Sequence, residues 1–188
     1  VFFSLNANLF AQNFWVPDAN FRNKLKQLYP SCFTAQDSMI TTCSIIQNAS
    51  SLYLNNSYIY SLNGLQYFLS LHNLYCAYNQ LSSLPTLPAS LLNLDCGQNQ
   101  LSNLPALPAS LISLKCRYNQ LTALPVLPLS LKQIDCGGNQ LTSLPLIPDS
   151  LELLNFGGNQ LNTLPVLPST LTELYCSGCS LTSLPALP

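Results

Sequence analysis

The sequence predicts a curved solenoid of stacked short coils. Parallel strands line its concave face, its convex side is extended and polyproline-II-like, and a helical cap closes its N-terminal end. Three observations predict this. From Leu71 to Pro188 the chain repeats every 20 residues, six times, with starts at Leu71, Leu91, Leu111, Leu131, Leu151 and Leu171. Positions 1, 4, 11, 14 and 17 of the unit give 30 slots, of which Leu fills 28 and Ile134 and Ile147 the other two. A Pro pair at positions 15 and 18 recurs in all six units, from Pro85 and Pro88 to Pro185 and Pro188. Self-similarity at such a period is the signature of repeat architectures, in which each unit buries its apolar face only against its neighbours.

The elements follow in chain order. Residues 1–11 have the look of the later part of a secretory h-region, and cleavage after Ala11 would leave Gln12 first. They are expected to be a partial signal peptide, although Leu9 occupies a position where a small residue is preferred. Residues 12–48 form the cap. Within it, residues 17–30 read as one amphipathic helix: Asp18 is the N-cap, Phe21, Leu25, Leu28 and Tyr29 share a face, and Pro30 ends the helix. Arg22, Lys24 and Lys26 are expected on its solvated face. Cys32 and Cys43 lie in the same segment, and in an exported chain a short cap is expected to be cross-linked by a disulfide between them. Asn48 and Asn55 match the N-glycosylation acceptor pattern.

Residues 49–70 form a first, imperfect coil. Leu52, Leu54, Ile59 and Leu62 take positions 4, 6, 11 and 14, Ser57 stands where Asn would be, and Gly64 replaces the Pro pair. Residues 71–188 are the six regular coils, with the consensus L-x-x-L-x-C-x-x-N-Q-L-x-x-L-P-x-L-P-x-S. Alternation at positions 4 and 6 makes a short strand with Leu and Cys facing inward. Pro every three residues fixes φ and removes N–H donors, so the return path is extended rather than helical. Asn79, Asn99, Asn119, Asn139 and Asn159, at position 9, are expected to form a ladder whose amides satisfy backbone groups where the chain leaves the sheet.

The unit is the leucine-rich-repeat pattern, L-x-x-L-x-L-x-x-N/C-x-L, at its shortest length. Register also settles how six of the eight cysteines read. Cys76, Cys96, Cys116, Cys136 and Cys176 all occupy position 6, with Phe156 in the fifth coil, so they are expected to be free thiols packed as small hydrophobes. Cys179 takes the Asn position. The Cys176-x-x-Cys179 spacing is therefore two structural slots, and no four convergent metal ligands are evident.

Composition narrows the function. Charged residues are 7% of the chain, against about 25% in an ordinary soluble domain. Six Lys and Arg cannot build a basic patch that tracks phosphates, so no nucleic-acid partner is expected. No apolar run reaches the roughly 18 residues of a membrane span. One His, His72 at position 2, offers little acid–base capacity and is badly placed to pair with inward-facing Cys76. With no Gly-rich phosphate loop and no paired carboxylates, no catalysis and no cofactor are expected. The few charges instead gather on one face. Positions 3, 5, 7 and 8 should point out from the concave sheet. Position 5 reads Tyr53, Tyr75, Asp95, Lys115, Asp135, Asn155 and Tyr175, position 8 contributes Tyr78 and Tyr118, and position 7 contributes Arg117. Tyr and Arg are enriched at interfaces. The candidate partner surface is therefore Tyr75, Tyr78, Asp95, Lys115, Arg117, Tyr118 and Asp135. The alternative is that Asp95, Lys115 and Asp135 simply neutralise one another across adjacent strands. Glycines at positions 7 and 8 of the later coils leave that end bare, for a ligand or merely for turning.

Val16-Pro17-Asp18-Ala19-Asn20-Phe21, the Cys32/Cys43 segment and the stretch from Ile59 to Phe68 resemble the N-terminal region of secreted leucine-rich-repeat proteins of flavobacterium-type bacteria. That resemblance implies export to the cell surface or medium and a cap helix followed by repeats. The repeat unit is also similar to the repeat region of bacterial effector ubiquitin ligases, which binds substrates beside a separate catalytic domain. This chain departs from them in its Cys at position 6 and in its N-terminal segment, and a catalytic domain of that kind would have to lie beyond Pro188. The reading is an exported binding module that recognises a protein or glycan on its concave face. A structural spacer in a larger surface protein and the substrate-binding region of an effector ligase are the alternatives. With the last coil ending at Pro188, an exposed sheet edge is expected to make the chain aggregate in isolation unless more chain follows.

Overall fold

The computed structural model describes residues 13–183. The expected signal segment, residues 1–11, lies outside them. The core is a parallel sheet of seven three-residue strands in strict sequence order: β3 (Ser51–Tyr53), β4 (Asn73–Tyr75), β5 (Asn93–Asp95), β6 (Ser113–Lys115), β7 (Gln133–Asp135), β8 (Leu153–Asn155) and β9 (Glu173–Tyr175). Every strand pairs with the next in the same register, so position 4 faces position 4 (Leu74 beside Leu94, Leu94 beside Leu114) from one end to the other. The return path holds no helix in any of the regular coils that the structure describes. This is the leucine-rich-repeat solenoid that the Leu and Pro spacing predicts.

The core is a continuous column. Leu at positions 1, 4 and 11 is fully buried in coil after coil, and the position-6 residues Cys76, Cys96, Cys116, Cys136 and Phe156 complete the layer at 0% exposure. In the last coil Leu171, Leu174, Cys176 and Leu181 are only half-buried, because no further described coil stacks on them. Burial pushes the Cys136 thiol up to about 12, with the Asp135 charge adding to the rise. The Cys96 thiol is raised further by the same burial. Cys76 and Cys116 are raised well above the ordinary thiol range, again chiefly by burial. All four are free.

Two side-chain ladders hold the coils in register. The amide of Asn119 is representative of the first. Its Nδ2 donates to the carbonyls of Cys96 at 3.1 Å and Cys116 at 3.0 Å, and its Oδ1 accepts from Leu101 N at 3.0 Å. Asn99, Asn139 and Asn159 repeat these bonds one coil along, and Asn79 serves the first coil through Ser57 N and Ile59 N. Cys179, at the same position, reaches only one of these partners, donating from Sγ to Phe156 O at 3.4 Å. The second ladder is formed by the hydroxyl at position 20. Ser110 Oγ donates to Ala89 O and Leu91 O, both at 2.8 Å, and Ser90, Ser130, Ser150 and Thr170 do the same in their coils. The sequence displayed Ser at this position in four units and Thr170 in the fifth, but the role of the hydroxyl as a coil-to-coil donor shows only in the structure.

The cap is built around β1 (Asn13–Phe14), antiparallel to β2 (Met39–Ile40), with α1 (Ala19–Leu28), a 3-10 turn at Pro30–Cys32 and the short helix α2 (Ser44–Gln47). Two features depart from the expected helix over 17–30. It is shorter, because Pro30 opens a 3-10 turn. Leu28 is exposed, and only Phe21 and Leu25 of the helix are buried. The basic residues are also more engaged than a merely solvated face. Arg22 Nη1 donates to Val16 O at 2.7 Å, its guanidinium lies 4.1 Å from the Trp15 ring centre, and Lys26 pairs with Asp37. Asp18 joins cap to solenoid: Oδ1 accepts from Phe21 N as the N-cap, while Oδ2 accepts from Tyr60 N and Ser61 N of the first coil. Cys32 and Cys43 form a disulfide with their Cα atoms 5.5 Å apart. Gly64 stands at position 16, between the two slots that Pro fills in the regular coils. It takes φ +118°, and a Cβ there would meet Phe14 and Val16 of the cap at about van der Waals distance.

Candidate functional site

The strands place positions 3 and 5 on the concave surface, and a left-handed turn follows each strand at position 8. Asn56, Tyr78, Gln98, Tyr118, Gly138, Gly158 and Gly178 all have φ between +53° and +68°. The glycines at this position are therefore there for turning. Positions 3 and 5 lie on the strands and positions 7 and 8 on the turns that follow, and the two groups meet where Arg117 Nε faces Asp135 Oδ2 at 3.9 Å. The candidate patch divides in two: Tyr75, Asp95, Lys115 and Asp135 form a row along the strands, while Tyr78, Arg117 and Tyr118 sit on the turns beside it.

The row begins with a stacked aromatic pair, Tyr53 and Tyr75, whose ring centres are 5.2 Å apart at 11°. Next to it runs an amide ladder, with Asn93 Nδ2 donating to Asn73 Oδ1 at 2.7 Å and Asn73 Nδ2 to Ser51 Oγ at 3.0 Å. The three central charges lie side by side in register, but no ion pair within 4.0 Å joins them. Asp95 turns its Oδ1 to Gly97 N at 3.2 Å. Asp135 Oδ1 accepts from Asn155 Nδ2 at 3.0 Å, and its Oδ2 faces Arg117 Nε at 3.9 Å. Carboxylates bond to their own turn because its N–H groups lie two residues on and are already aimed at them. Among the described residues no carboxylate pairs with Lys115. Lys115 therefore stands as an exposed cation between two shallow depressions, one of 190 Å³ reaching Tyr75 and one of 270 Å³ reaching Tyr175. Tyr175 donates its hydroxyl to Glu173 Oε2 at 2.9 Å, a bond that raises its pKa.

The turn edge carries a larger, open depression of 340 Å³ bounded by Arg117, Tyr118, Asp135 and Asn155, with glycine backbone as its floor. Tyr118 leans over Gly138 so closely that a Cβ there would lie 2.5 Å from its Cδ1. A left-handed backbone costs a non-glycine residue about 1 kcal/mol. Tyr78 and Tyr118 bear that cost with rings that stay half-exposed.

One surface was not anticipated. Val126, Leu129, Leu146 and Val166 form an apolar stripe on the convex side, each more than four-fifths exposed; Leu146 reaches 88%. They occupy positions 16 and 19 of the unit, where earlier coils carry Thr86, Ala89, Ala106 and Ala109. The signal was the growth of these side chains along the repeat, which a reading centred on the strand face passes over. Among the described residues no group of three or more His, Cys, Asp and Glu is arranged to hold a metal, and no helix is long and apolar enough to cross a membrane.

Parallel strands in sequence order, Leu at fixed positions and an Asn ladder at the strand ends define a leucine-rich-repeat fold. Solved structures place the chain among bacterial proteins of that fold. It is similar to YopM from Yersinia enterocolitica WA-314, with 39% identity over 63% of this chain and 27% of that one and a TM-score of 0.63. It is also similar to the leucine-rich-repeat domain of a Shigella effector, with 34% identity, 75% of this chain and 64% of that one covered and a TM-score of 0.70. YopM from Yersinia pestis, described as a leucine-rich effector protein, matches at 29% identity over 74% of this chain and 45% of that one, with a TM-score of 0.61. The chain thus spans between about a quarter and two thirds of the length of these neighbours. No protein-family model and no curated protein matches it.

Proposed function

We propose that this chain is an exported leucine-rich-repeat module that binds a protein or glycan partner on its concave face and performs no catalysis of its own. The fold supports an interaction module, and the observation that carries the concave assignment is Lys115. It is exposed at the centre of the strand row, unpaired, with a depression on either side and Tyr75 and Tyr175 at their outer ends. The rest of the concave row is rigid, because β-ladders and amide ladders fix it, so little ordering cost is left for binding. Export rests on the character of residues 1–11 and on the Cys32–Cys43 disulfide, a bond that persists in oxidising surroundings. A location at the cell surface or in the medium follows from that reading. The Shigella neighbour, an effector leucine-rich-repeat domain, favours a second reading, in which the chain is the repeat region of a larger effector; the resemblance of the repeat unit to effector ubiquitin ligases would make that region substrate-binding, with its ligase domain outside this sequence.

A printed array of proteins and glycans probed with the 188-residue chain tests the first reading. Lys115→Ala and Arg117→Ala should each weaken the strongest signal at least tenfold with the melting temperature unchanged, since both side chains are exposed. Undiminished binding by both variants contradicts it.

A further inference from the structure

The open depression at the turn edge has a chemistry different from that of the strand row. We propose that it is a subsite for one uncharged sugar unit of a glycan, seated against the ring of Tyr118; this deepens the concave-face reading and rests on it. Four observations carry the assignment. The depression of 340 Å³ has no aliphatic side chain in its lining. An apolar anchor of a protein partner would find nothing to bury against, whereas a polyhydroxylated ring needs only one aromatic face and fixed polar groups around its edge.

Tyr118 supplies the aromatic face. Its ring is 55% exposed, and it holds a left-handed φ of +53° where Gly138, Gly158 and Gly178 occupy the same position in the following coils. The left-handed turn is common to position 8 of the stacked coils, so what sets Tyr118 apart is the large exposed ring it presents where the following coils carry glycine.

The polar groups are held in place before any ligand arrives. Asp135 accepts from Asn155 Nδ2 at 3.0 Å and from Gly137 N at 3.4 Å, and Asn155 Oδ1 in turn accepts from Gly157 N at 3.1 Å. The Asp135 side chain is 17% exposed. Carboxylate and guanidinium together offer the acceptors and donors that neighbouring hydroxyls require.

Charge completes the argument. Arg117 faces Asp135 at 3.9 Å, so the two formal charges beside the depression cancel. An anionic or cationic ligand gains no net attraction there, and an uncharged one loses nothing.

The test is a titration of the 188-residue chain with cellohexaose, maltohexaose and mannohexaose, followed by amide NMR. Saturable shifts at Gly138, Gly158 and Ser177 with at least one of these probes, at a Kd of about 1 mM or tighter, are the expected result. Tyr118→Gly should weaken that binding at least tenfold while unfolding at the same or a higher temperature, since it removes the ring and the strain together. Arg117→Ala provides a second variant with the backbone unchanged. No saturable shift with any probe overturns the proposal, as does wild-type affinity in Tyr118→Gly. Shifts confined to Tyr75, Lys115 and Tyr175 also overturn it, but leave the concave-face reading standing. Loss of the sugar subsite with a protein signal that depends on Lys115 on the array does the same. Failure of the concave-face reading itself is recognised by a partner signal that neither Lys115→Ala nor Arg117→Ala diminishes.

Discussion

Asn119 shows how much of this architecture rests on single buried amides. It bonds to two coils at once, through Cys96 O, Cys116 O and Leu101 N. Leucine in its place would fill the space but leave those backbone groups buried without partners, and each such group costs about 1–3 kcal/mol. Asn119→Leu should therefore lower the free energy of unfolding in urea by about 3 kcal/mol or more. A loss within about 0.5 kcal/mol, as for an ordinary surface change, would show that the ladder is not structural. The Asn role was legible in the sequence because a polar residue recurring beside core positions must be satisfied. The left-handed turn one residue earlier was not legible. Tyr78, Gln98 and Tyr118 hide the glycine signal that coils four to six display openly. Asp18 was readable as a helix N-cap from its neighbours, but its bonds to Tyr60 and Ser61 join segments some forty residues apart, and no local pattern encodes them.

At the scale of elements, the strand layer and the cap are stabilised by different means. The cap is too small for a large core of its own, and the Cys32–Cys43 bridge closes a loop with sequence separation 11, which the chain-entropy estimate values at about 3 kcal/mol. The strand layer relies on burial of Leu and on the position-6 thiols. These thiols link stability to pH with a definite sign. In the unfolded chain they ionise near pH 8.5. In the folded chain burial holds Cys136 protonated up to about 12, and Cys76, Cys96 and Cys116 are raised in the same direction. Above the unfolded value the native state binds more protons than the unfolded state, so stability is complete below it and falls as pH rises. Urea midpoints should be flat from neutral pH to about 8.5 and decline beyond it. Native protein at pH 8 should leave these four thiols unmodified by a thiol reagent that labels them in urea; rapid labelling without denaturant would contradict their burial. Register alone showed that these cysteines are core residues. The shortened helix α1 and the exposed Leu28 were less legible, because Pro30 sets where a helix must stop but not how early the chain leaves it.

On the scale of the whole molecule, the repeat spacing determines a surface with two unlike sides. The concave side carries Tyr75, Lys115 and Tyr175 along the strands and the Tyr118 trough at their ends, and most of the chain's few charges outside the cap lie on or beside it. The convex side carries Val126, Leu129, Leu146 and Val166 in water. The solenoid itself could be read from Leu, Pro and Asn spacing because each coil repeats the same physical solution. The division of the candidate patch between strand row and turn edge could not, since it depends on a backbone conformation shared by residues as different as Tyr and Gly. The central claim is that recognition belongs to the concave side. Its most direct test compares two double variants on one protein-and-glycan array. Tyr75→Ser with Lys115→Glu alters the concave row, and Val126→Thr with Leu146→Thr alters the convex stripe. The concave pair should abolish the wild-type signals while still unfolding in one cooperative transition, at a somewhat lower temperature because the Tyr53–Tyr75 stack is lost and a carboxylate is placed between Asp95 and Asp135; the convex pair should retain the signals. Binding retained by the concave pair and lost by the convex pair would place recognition on the other side of the solenoid and contradict the account.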